Sequence, residues 1–273
     1  MDLFYLESMR NFQIFFVSCC LLFVASCSPR TQAFSTEIIS ADSLGKYSYP
    51  IYSAAKNSQI QTGSGFFVKK DTLTYFVSAA HVLTRAETTN GTLDSLKVSQ
   101  FFIRVSTKDS TQPLYFSINT DSLNIKLTPF TYKQKPDVAA VYIRSLPPNF
   151  KIYYINDLLD DIETINPDSV RQVYIFGFPQ KTIRTWDDFY KGDPTLFVGK
   201  IRGNANSSAS QDSINFMISR VSGDVGQGFS GSPVFFDLGK YRNPVFAGLF
   251  FGYNEPYNIG GVVRSKKVLS QIR

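Results

Sequence analysis

Histidine and cysteine are scarce in this chain of 273 residues. The single histidine, His81, excludes a metal site built from several histidines. The three cysteines, Cys19, Cys20 and Cys27, all precede residue 28. The remaining sequence has no thiol for a disulfide, a cysteine–metal site or a cysteine nucleophile. We therefore expect no metal and no cofactor.

Dense positive charge and fixed-period repeats are also absent. The formal net charge is +6, and the 28 Lys and Arg residues form no stripe along the sequence. A nucleic-acid partner is therefore not expected. The oligomeric state cannot be inferred from these features.

The N-terminus contains one apolar run, residues 14–23, which is shorter than a comfortable membrane span. It follows Met9-Arg10 and ends at Val24-Ala25-Ser26-Cys27, which resembles a bacterial lipoprotein box. This order predicts a signal peptide over residues 1–26, a lipid on Cys27 and a tether over residues 27–46. The expected location is the periplasmic face of the outer membrane. An ordinary secretory peptide and a short membrane anchor are the alternatives.

The aromatic content favours strands. There are 25 Phe and 15 Tyr but only 3 Met, and strand-like runs alternate with turn signals. The pattern predicts an all-β fold with two consecutive antiparallel β-barrels, over residues 47–148 and 172–273, joined by a connection at 149–171. A short helix with Ser265 as its N-cap is predicted at the end of the second barrel.

One loop has the composition of an exposed nucleophile. In Gly228-Phe229-Ser230-Gly231, glycines flank a serine just before an apolar strand. They allow positive φ and close approach of a substrate, and the N–H groups of Gly228 and Ser230 could form an oxyanion hole. A Gly/Ser turn between two strands explains the same residues equally well.

His81 and Asp137 favour the nucleophile. A serine hydroxyl needs a base, and imidazole is well matched to that task near neutral pH. His81 follows a predicted strand in Ser78-Ala79-Ala80-His81. The imidazole in turn needs a carboxylate to hold its tautomer, and Asp137 is the best candidate because it begins the apolar strand Val138-Ala139-Ala140-Val141.

Together these motifs resemble the trypsin-like, chymotrypsin-fold serine peptidases, in their bacterial branch. The resemblance rests on Gly63-Ser64-Gly65-Phe66, Ser78-Ala79-Ala80-His81, Asp137-Val138-Ala139 and Gly228-Phe229-Ser230-Gly231, in that order. It implies two six-stranded barrels and a triad in which Ser230 attacks, His81 transfers protons and Asp137 orients His81. A protein or peptide would be the substrate.

The sequence also departs from that family. In zymogens of the family an acid at the position of Phe229 pairs with the N-terminus that cleavage frees. Phe229 cannot form that ion pair, so we expect the loop to be held by packing or by neighbouring residues. Asp224, six residues before Ser230, stands where trypsin places the acid that selects basic side chains, although a turn acid explains it too. Phe251 and Tyr253 are expected to contact substrate along their strand, which lacks the family's usual polar residue.

Three hypotheses remain open at this point. The first is a lipid-anchored serine endopeptidase. The second is a catalytically silent binding module of the same fold, anchored to a membrane. The third is a lipoprotein β-sandwich in which the motifs coincide by chance. An α/β-hydrolase is disfavoured because the sequence Gly228-x-Ser230-x-Ser232 lacks the second glycine of a nucleophile elbow.

Overall fold

Antiparallel strands dominate the computed structural model. It describes residues 40–54, 60–89, 92–97, 100–107, 113–119, 136–160, 164–179, 193–202, 215–239 and 243–272. All of these belong to one compact unit, Ile38–Arg273. The signal peptide, Cys27 and most of the tether predicted from the sequence lie outside the described residues.

The N-terminal half forms a curled half-barrel sheet. Its strand order is β7-β6-β1-β2-β3-β8, with β9 paired to β6, and each pairing is antiparallel. A separate hairpin joins β4 and β5. The bounds are β1 (Tyr49–Ala54), β2 (Ile60–Lys70), β3 (Leu73–Ser78), β4 (Thr84–Thr89), β5 (Thr92–Lys97), β6 (Gln100–Thr107), β7 (Pro113–Asn119), β8 (Ala139–Ile143) and β9 (Phe150–Lys151).

The C-terminal half is a closed barrel of six antiparallel strands, in the order β10-β11-β12-β15-β14-β13, with β13 pairing back onto β10. Closure leaves no unpaired sheet edge in the barrel. The bounds are β10 (Gln172–Gly177), β11 (Thr195–Ile201), β12 (Asn215–Ser222), β13 (Pro233–Asp237), β14 (Val245–Asn254) and β15 (Ile259–Arg264).

Helical structure is short throughout the described residues. The two α-helices are α1 (Ala80–Leu83) and α2 (Ser265–Ser270), and 3₁₀ turns occupy Ala41–Tyr47, Ile155–Leu158, Pro167–Ser169 and Glu255–Tyr257. Helix α2 is the predicted terminal helix, but its N-cap is Arg264 and Ser265 is its first helical residue. None of these helices has the length and apolar character needed to cross a membrane.

Large aromatic side chains fill the core. Phe66 of β2 and Phe246 of β14 are fully buried and meet edge to face, with ring centroids 5.1 Å apart. One hydrophobic cluster therefore runs from the half-barrel into the closed barrel. The predicted all-β fold is confirmed, while the borders predicted at residues 148 and 171 stay predictions.

Candidate active site

His81 and Asp137 are brought together by the pairing of β3 with β8. In this antiparallel pair Ser78 lies opposite Ala139. His81 follows Ser78 by three residues, within α1, and Asp137 precedes Ala139 by two. Both side chains therefore emerge at the same end of the two strands. The alternating burial along β8 favours this register, because a slip by one residue would turn its buried side chains to solvent.

The Asp137 carboxylate holds His81 at two points. Its Oδ2 lies 2.5 Å from His81 Nδ1, and its Oδ1 accepts the His81 backbone N–H at 3.1 Å. The Asp137 side chain is 3% exposed and that of His81 is 27% exposed. Because a carboxylate only accepts, the ring proton belongs on Nδ1, which leaves the Nε2 lone pair free to take a proton.

Ser230 lies in the turn between β12 and β13, in a half-buried position. Its backbone carbonyl accepts the N–H of Ser64 in β2 at 2.9 Å. Its hydroxyl donates to the backbone carbonyl of Phe251 in β14, with an Oγ···O distance of 3.3 Å. Among the described residues, this is the hydrogen bond that the Ser230 hydroxyl makes, and it does not involve His81.

Gly231 places the turn that carries Ser230 against the segment that carries His81. Its φ is +91°, and a Cβ there would lie 2.0 Å from the Ser64 carbonyl oxygen, 2.3 Å from Ser78 Oγ and 3.0 Å from the Ala79 nitrogen. Only glycine allows both the backbone conformation and this close approach. The turn after Ser230 therefore touches the chain two residues before His81.

On its other side, the turn that carries Ser230 is held by packing of Phe229, as the apolar residue at this position predicts. The Phe229 ring is fully buried in the core of the closed barrel. It packs directly on Gly177 at the end of β10, where a Cβ would lie 2.6 Å from the ring. Burial of a phenylalanine side chain contributes roughly 2–3 kcal/mol of transfer free energy, so this residue anchors the turn without a charge.

The predicted oxyanion donors lie in the same turn. Gly228 is buried with φ +100°, and its carbonyl accepts the Ser64 hydroxyl at 2.7 Å. The Phe229 N–H is directed to the Gly226 carbonyl at 3.3 Å. The N–H groups of Gly228 and Ser230 donate to no other described residue. Both N–H groups are therefore available to a ligand.

The predicted substrate-binding residues have different surroundings. Asp224 is exposed, so it lacks the buried setting that a charge-selecting pocket floor needs. The half-buried Phe251 ring lies over Gly261 of β15. The Tyr253 hydroxyl donates to Asn258 Oδ1 at 2.7 Å. Contacts of these residues with substrate stay predictions.

Sequence reasoning missed the role of two buried serines. Ser64 and Ser78 appear in the quoted motifs, but no function was assigned to either. Ser78 Oγ donates to the Ser64 carbonyl at 2.7 Å, and Ser64 contacts the turn that carries Ser230 through both its hydroxyl and its N–H. The only signal in the sequence was that each serine stands at a strand position next to glycine or alanine.

One family model matches about two thirds of the chain. Residues 63–241 match the family model described as a trypsin-like peptidase domain, a stretch that includes His81, Asp137 and Ser230. No curated protein matches the sequence.

Similar solved structures are proteases. An M. tuberculosis protease in its inactive form is 18% identical, with a TM-score of 0.46, covering 85% of this chain and 90% of that one. The HtrA-type protease AlgW, in a structure with tripeptide, is 13% identical, with a TM-score of 0.47 over 83% of this chain and 58% of that one. A serine endoprotease from Yersinia pestis is 16% identical, with a TM-score of 0.47, covering 83% of this chain and 61% of that one.

Proposed function

Because this chain belongs to the family of trypsin-like peptidase domains, we propose that it is a serine endopeptidase with Ser230, His81 and Asp137 as its catalytic triad. The observation that carries the proposal is the double hydrogen bond from Asp137 to His81, at 2.5 Å and 3.1 Å. A carboxylate that binds both the ring and the backbone of the only histidine fixes the ring's orientation and its tautomer. A binding module has no need of that arrangement.

The reaction begins at the hydroxyl of Ser230. Its oxygen attacks the carbonyl carbon of the scissile peptide bond while His81 Nε2 takes the hydroxyl proton. The carbonyl oxygen becomes an oxyanion, which the N–H groups of Gly228 and Ser230 stabilise. The C–N bond then breaks, and His81 delivers its proton to the leaving amine. Water hydrolyses the acyl-enzyme by the same steps, which regenerates the serine.

Proton transfer requires one hydrogen bond to break first. The Ser230 hydroxyl donates to the Phe251 carbonyl at 3.3 Å, a long distance for an O–H donor. A weak hydrogen bond of this kind costs little to exchange for one with His81. Catalytic hydrogen bonds commonly shorten only when substrate is bound.

Labelling with a fluorophosphonate tests the triad in the purified full chain. The Ser230 oxygen forms a bond to phosphorus, fluoride leaves, and the proton passes to His81. We expect labelling of the wild type to be lost in Ser230→Ala and in His81→Ala. Ser232→Ala is the matched control, because its buried hydroxyl lies two residues away and has no hydrogen-bond partner among the described residues. A folded wild type that stays unlabelled would favour the silent binding module.

Endopeptidase activity needs its own measurement. Mass spectrometry of an unbiased peptide mixture should show internal cleavages with the wild type and none with Ser230→Ala. Release of terminal residues alone would contradict an endopeptidase. Cleavages confined to sites after basic residues, and weakened in Asp224→Asn, would support the predicted pocket role of Asp224.

We further propose that the chain is attached by a lipid on Cys27 to the bacterial cell envelope, at the periplasmic face of the outer membrane. The support is the sequence Val24-Ala25-Ser26-Cys27 after a short apolar run. Metabolic labelling with an alkyne fatty acid should mark the wild type and Cys20→Ser but not Cys27→Ser. Equal labelling of both variants would refute the anchor, and membrane fractionation would locate the protein.

A further inference from the structure

Among the described residues of the half-barrel, Ser64 is the one that binds both residues proposed to form the oxyanion hole. Its hydroxyl donates to the Gly228 carbonyl at 2.7 Å, and its backbone N–H donates to the Ser230 carbonyl at 2.9 Å. Ser64 is fully buried in β2. The two hydrogen bonds therefore tie the turn at two points, one on each side of Phe229.

Ser64 is itself held in place by its neighbours. Its hydroxyl accepts the Phe178 N–H at 3.1 Å, which directs the hydroxyl proton towards Gly228. Its carbonyl accepts the Ser78 hydroxyl at 2.7 Å. Every polar atom of Ser64 is thus paired with a named partner. A fully paired buried network of this kind holds one conformation, because any other leaves a buried group unpaired.

We propose that Ser64 is a positioning residue for the oxyanion hole, a role that rests on the proposed peptidase activity. Gly228 has a positive φ and no side chain, so its own backbone preference does not fix the direction of its peptide groups. The Gly228 carbonyl belongs to the Gly228–Phe229 peptide group, which lies between the two peptide groups that carry the N–H groups of Gly228 and Ser230. The hydrogen bond from Ser64 holds this central peptide group and so constrains the backbone on which both donors depend. The Ser64 hydroxyl acts through Gly228 and does not touch the substrate.

The role predicts a loss in the chemical step without a loss in ground-state binding. Removing one oxyanion donor costs about 10²–10³-fold in rate. Losing only a group that constrains the peptide between the two donors should cost less, so we expect a fall of about 10–100-fold in Ser64→Ala. The fall should appear in the maximal rate of phosphonylation of Ser230, kinact, while the apparent inhibitor constant KI stays within about twofold, because the oxyanion forms after binding.

Ser48→Ala is the matched control. Ser48 is also a buried serine whose hydroxyl donates at 2.7 Å to a carbonyl of the closed barrel, that of Phe176. Both variants lose a donated buried hydrogen bond of the same kind and length, and Ser64→Ala also loses the bond that its hydroxyl accepts from the Phe178 N–H. Urea unfolding should therefore show a loss of stability in both, larger in Ser64→Ala. Only Ser64→Ala should show the fall in kinact. Ser64→Cys keeps the side-chain volume with a weak donor and should behave like the alanine variant.

The outcomes separate this role from the peptidase proposal. An unlabelled, folded wild type refutes both. A labelled wild type with kinact of Ser64→Ala and Ser64→Cys within about twofold of Ser48→Ala supports the peptidase and refutes the positioning role. A fall in kinact that is equally large in Ser48→Ala also refutes it, because the effect would then follow stability. If Ser64→Ala does not fold, Ser64→Cys decides the question alone.

Discussion

Replacing Asp137 by asparagine tests the triad with the smallest change in shape. The Asp137 carboxylate accepts the His81 backbone N–H at 3.1 Å through Oδ1, and its Oδ2 lies 2.5 Å from Nδ1 of the ring. Asparagine keeps the size of the side chain but has only one accepting oxygen. The amide nitrogen must then face one of the two partners, which are both donors in the wild type.

The two possible orientations of the amide differ in energy. If its oxygen faces Nδ1, its nitrogen faces the backbone N–H of His81, and two buried donors oppose each other. An unsatisfied buried donor costs about 1–3 kcal/mol. If the oxygen faces the backbone N–H, the amide donates to Nδ1 and the ring proton moves to Nε2. Every group is then paired, so this orientation is favoured.

The favoured orientation disables the base. With a proton on Nε2, His81 cannot accept the proton of Ser230. The 1–3 kcal/mol preference for this tautomer corresponds to a fall of roughly 5- to 150-fold in the rate of reaction at Ser230. Loss of the carboxylate's stabilisation of the imidazolium adds to it, and the total expected for a triad is about 10⁴-fold, or ~5.5 kcal/mol.

The assay is the rate constant of fluorophosphonate labelling in the full chain at neutral pH, with urea unfolding to confirm that the variant is folded. Asp168→Asn is the control for the same substitution at an exposed aspartate, and it should label at the wild-type rate. If folded Asp137→Asn labels within about tenfold of the wild type, Asp137 does not fix the tautomer. The triad assignment would then be wrong.

Three further predictions concern stability. Gly231→Ala should lower the free energy of unfolding in urea by more than about 3 kcal/mol, because it combines positive φ with a Cβ 2.0 Å from the Ser64 carbonyl oxygen. Gly226→Ala is the control and should change the stability little, because a Cβ there has nothing within 4 Å. Equal effects of the two substitutions would contradict the close approach at Gly231. Ser232→Ala should keep or raise the melting temperature, since its buried hydroxyl has no partner among the described residues, and a loss above about 1 kcal/mol would show that it is bonded. Burial and a neighbouring carboxylate raise the pKa of Tyr174 to about 12. The ordinary value is about 10, so its contribution to stability is present below that pH and lost between about pH 10 and 12. Tyr174→Phe should lose less stability than the wild type over that range, and parallel unfolding curves would refute the shift.

The residues proposed as a triad could be singled out in the sequence because each carries a separate signal. His81 is the only histidine, and Ser230 stands between glycines before an apolar strand. Asp137 stands two residues before the strand that pairs with the strand before His81. Strand registers follow from burial patterns, so residues next to strand ends are placed by the same pattern that predicts the strands.

The supporting contacts could not be predicted, because they depend on tertiary positions of loops. The hydrogen bond from Ser64 to Gly228 joins residues 164 positions apart, and nothing local to either residue indicates it. The exposure of Asp224 follows from the path of its loop. The N-cap of α2 is Arg264 and not the predicted Ser265, because β15 continues up to the helix and leaves no residue between them.

Two contacts hold the turn that carries Ser230, and they constrain it in different ways. The buried Phe229 ring fixes how deep the turn lies, but a hydrophobic contact has little directional preference and cannot orient a peptide group. The Ser64 hydrogen bonds are directional and fix which way the backbone faces. In members of the trypsin-like family that are activated from zymogens, the acid at the position of Phe229 forms an ion pair with the freed N-terminus. Here the two tasks are divided between a ring in the closed barrel and a hydroxyl in the half-barrel. Correct orientation of the turn therefore depends on the packing of the two halves against each other.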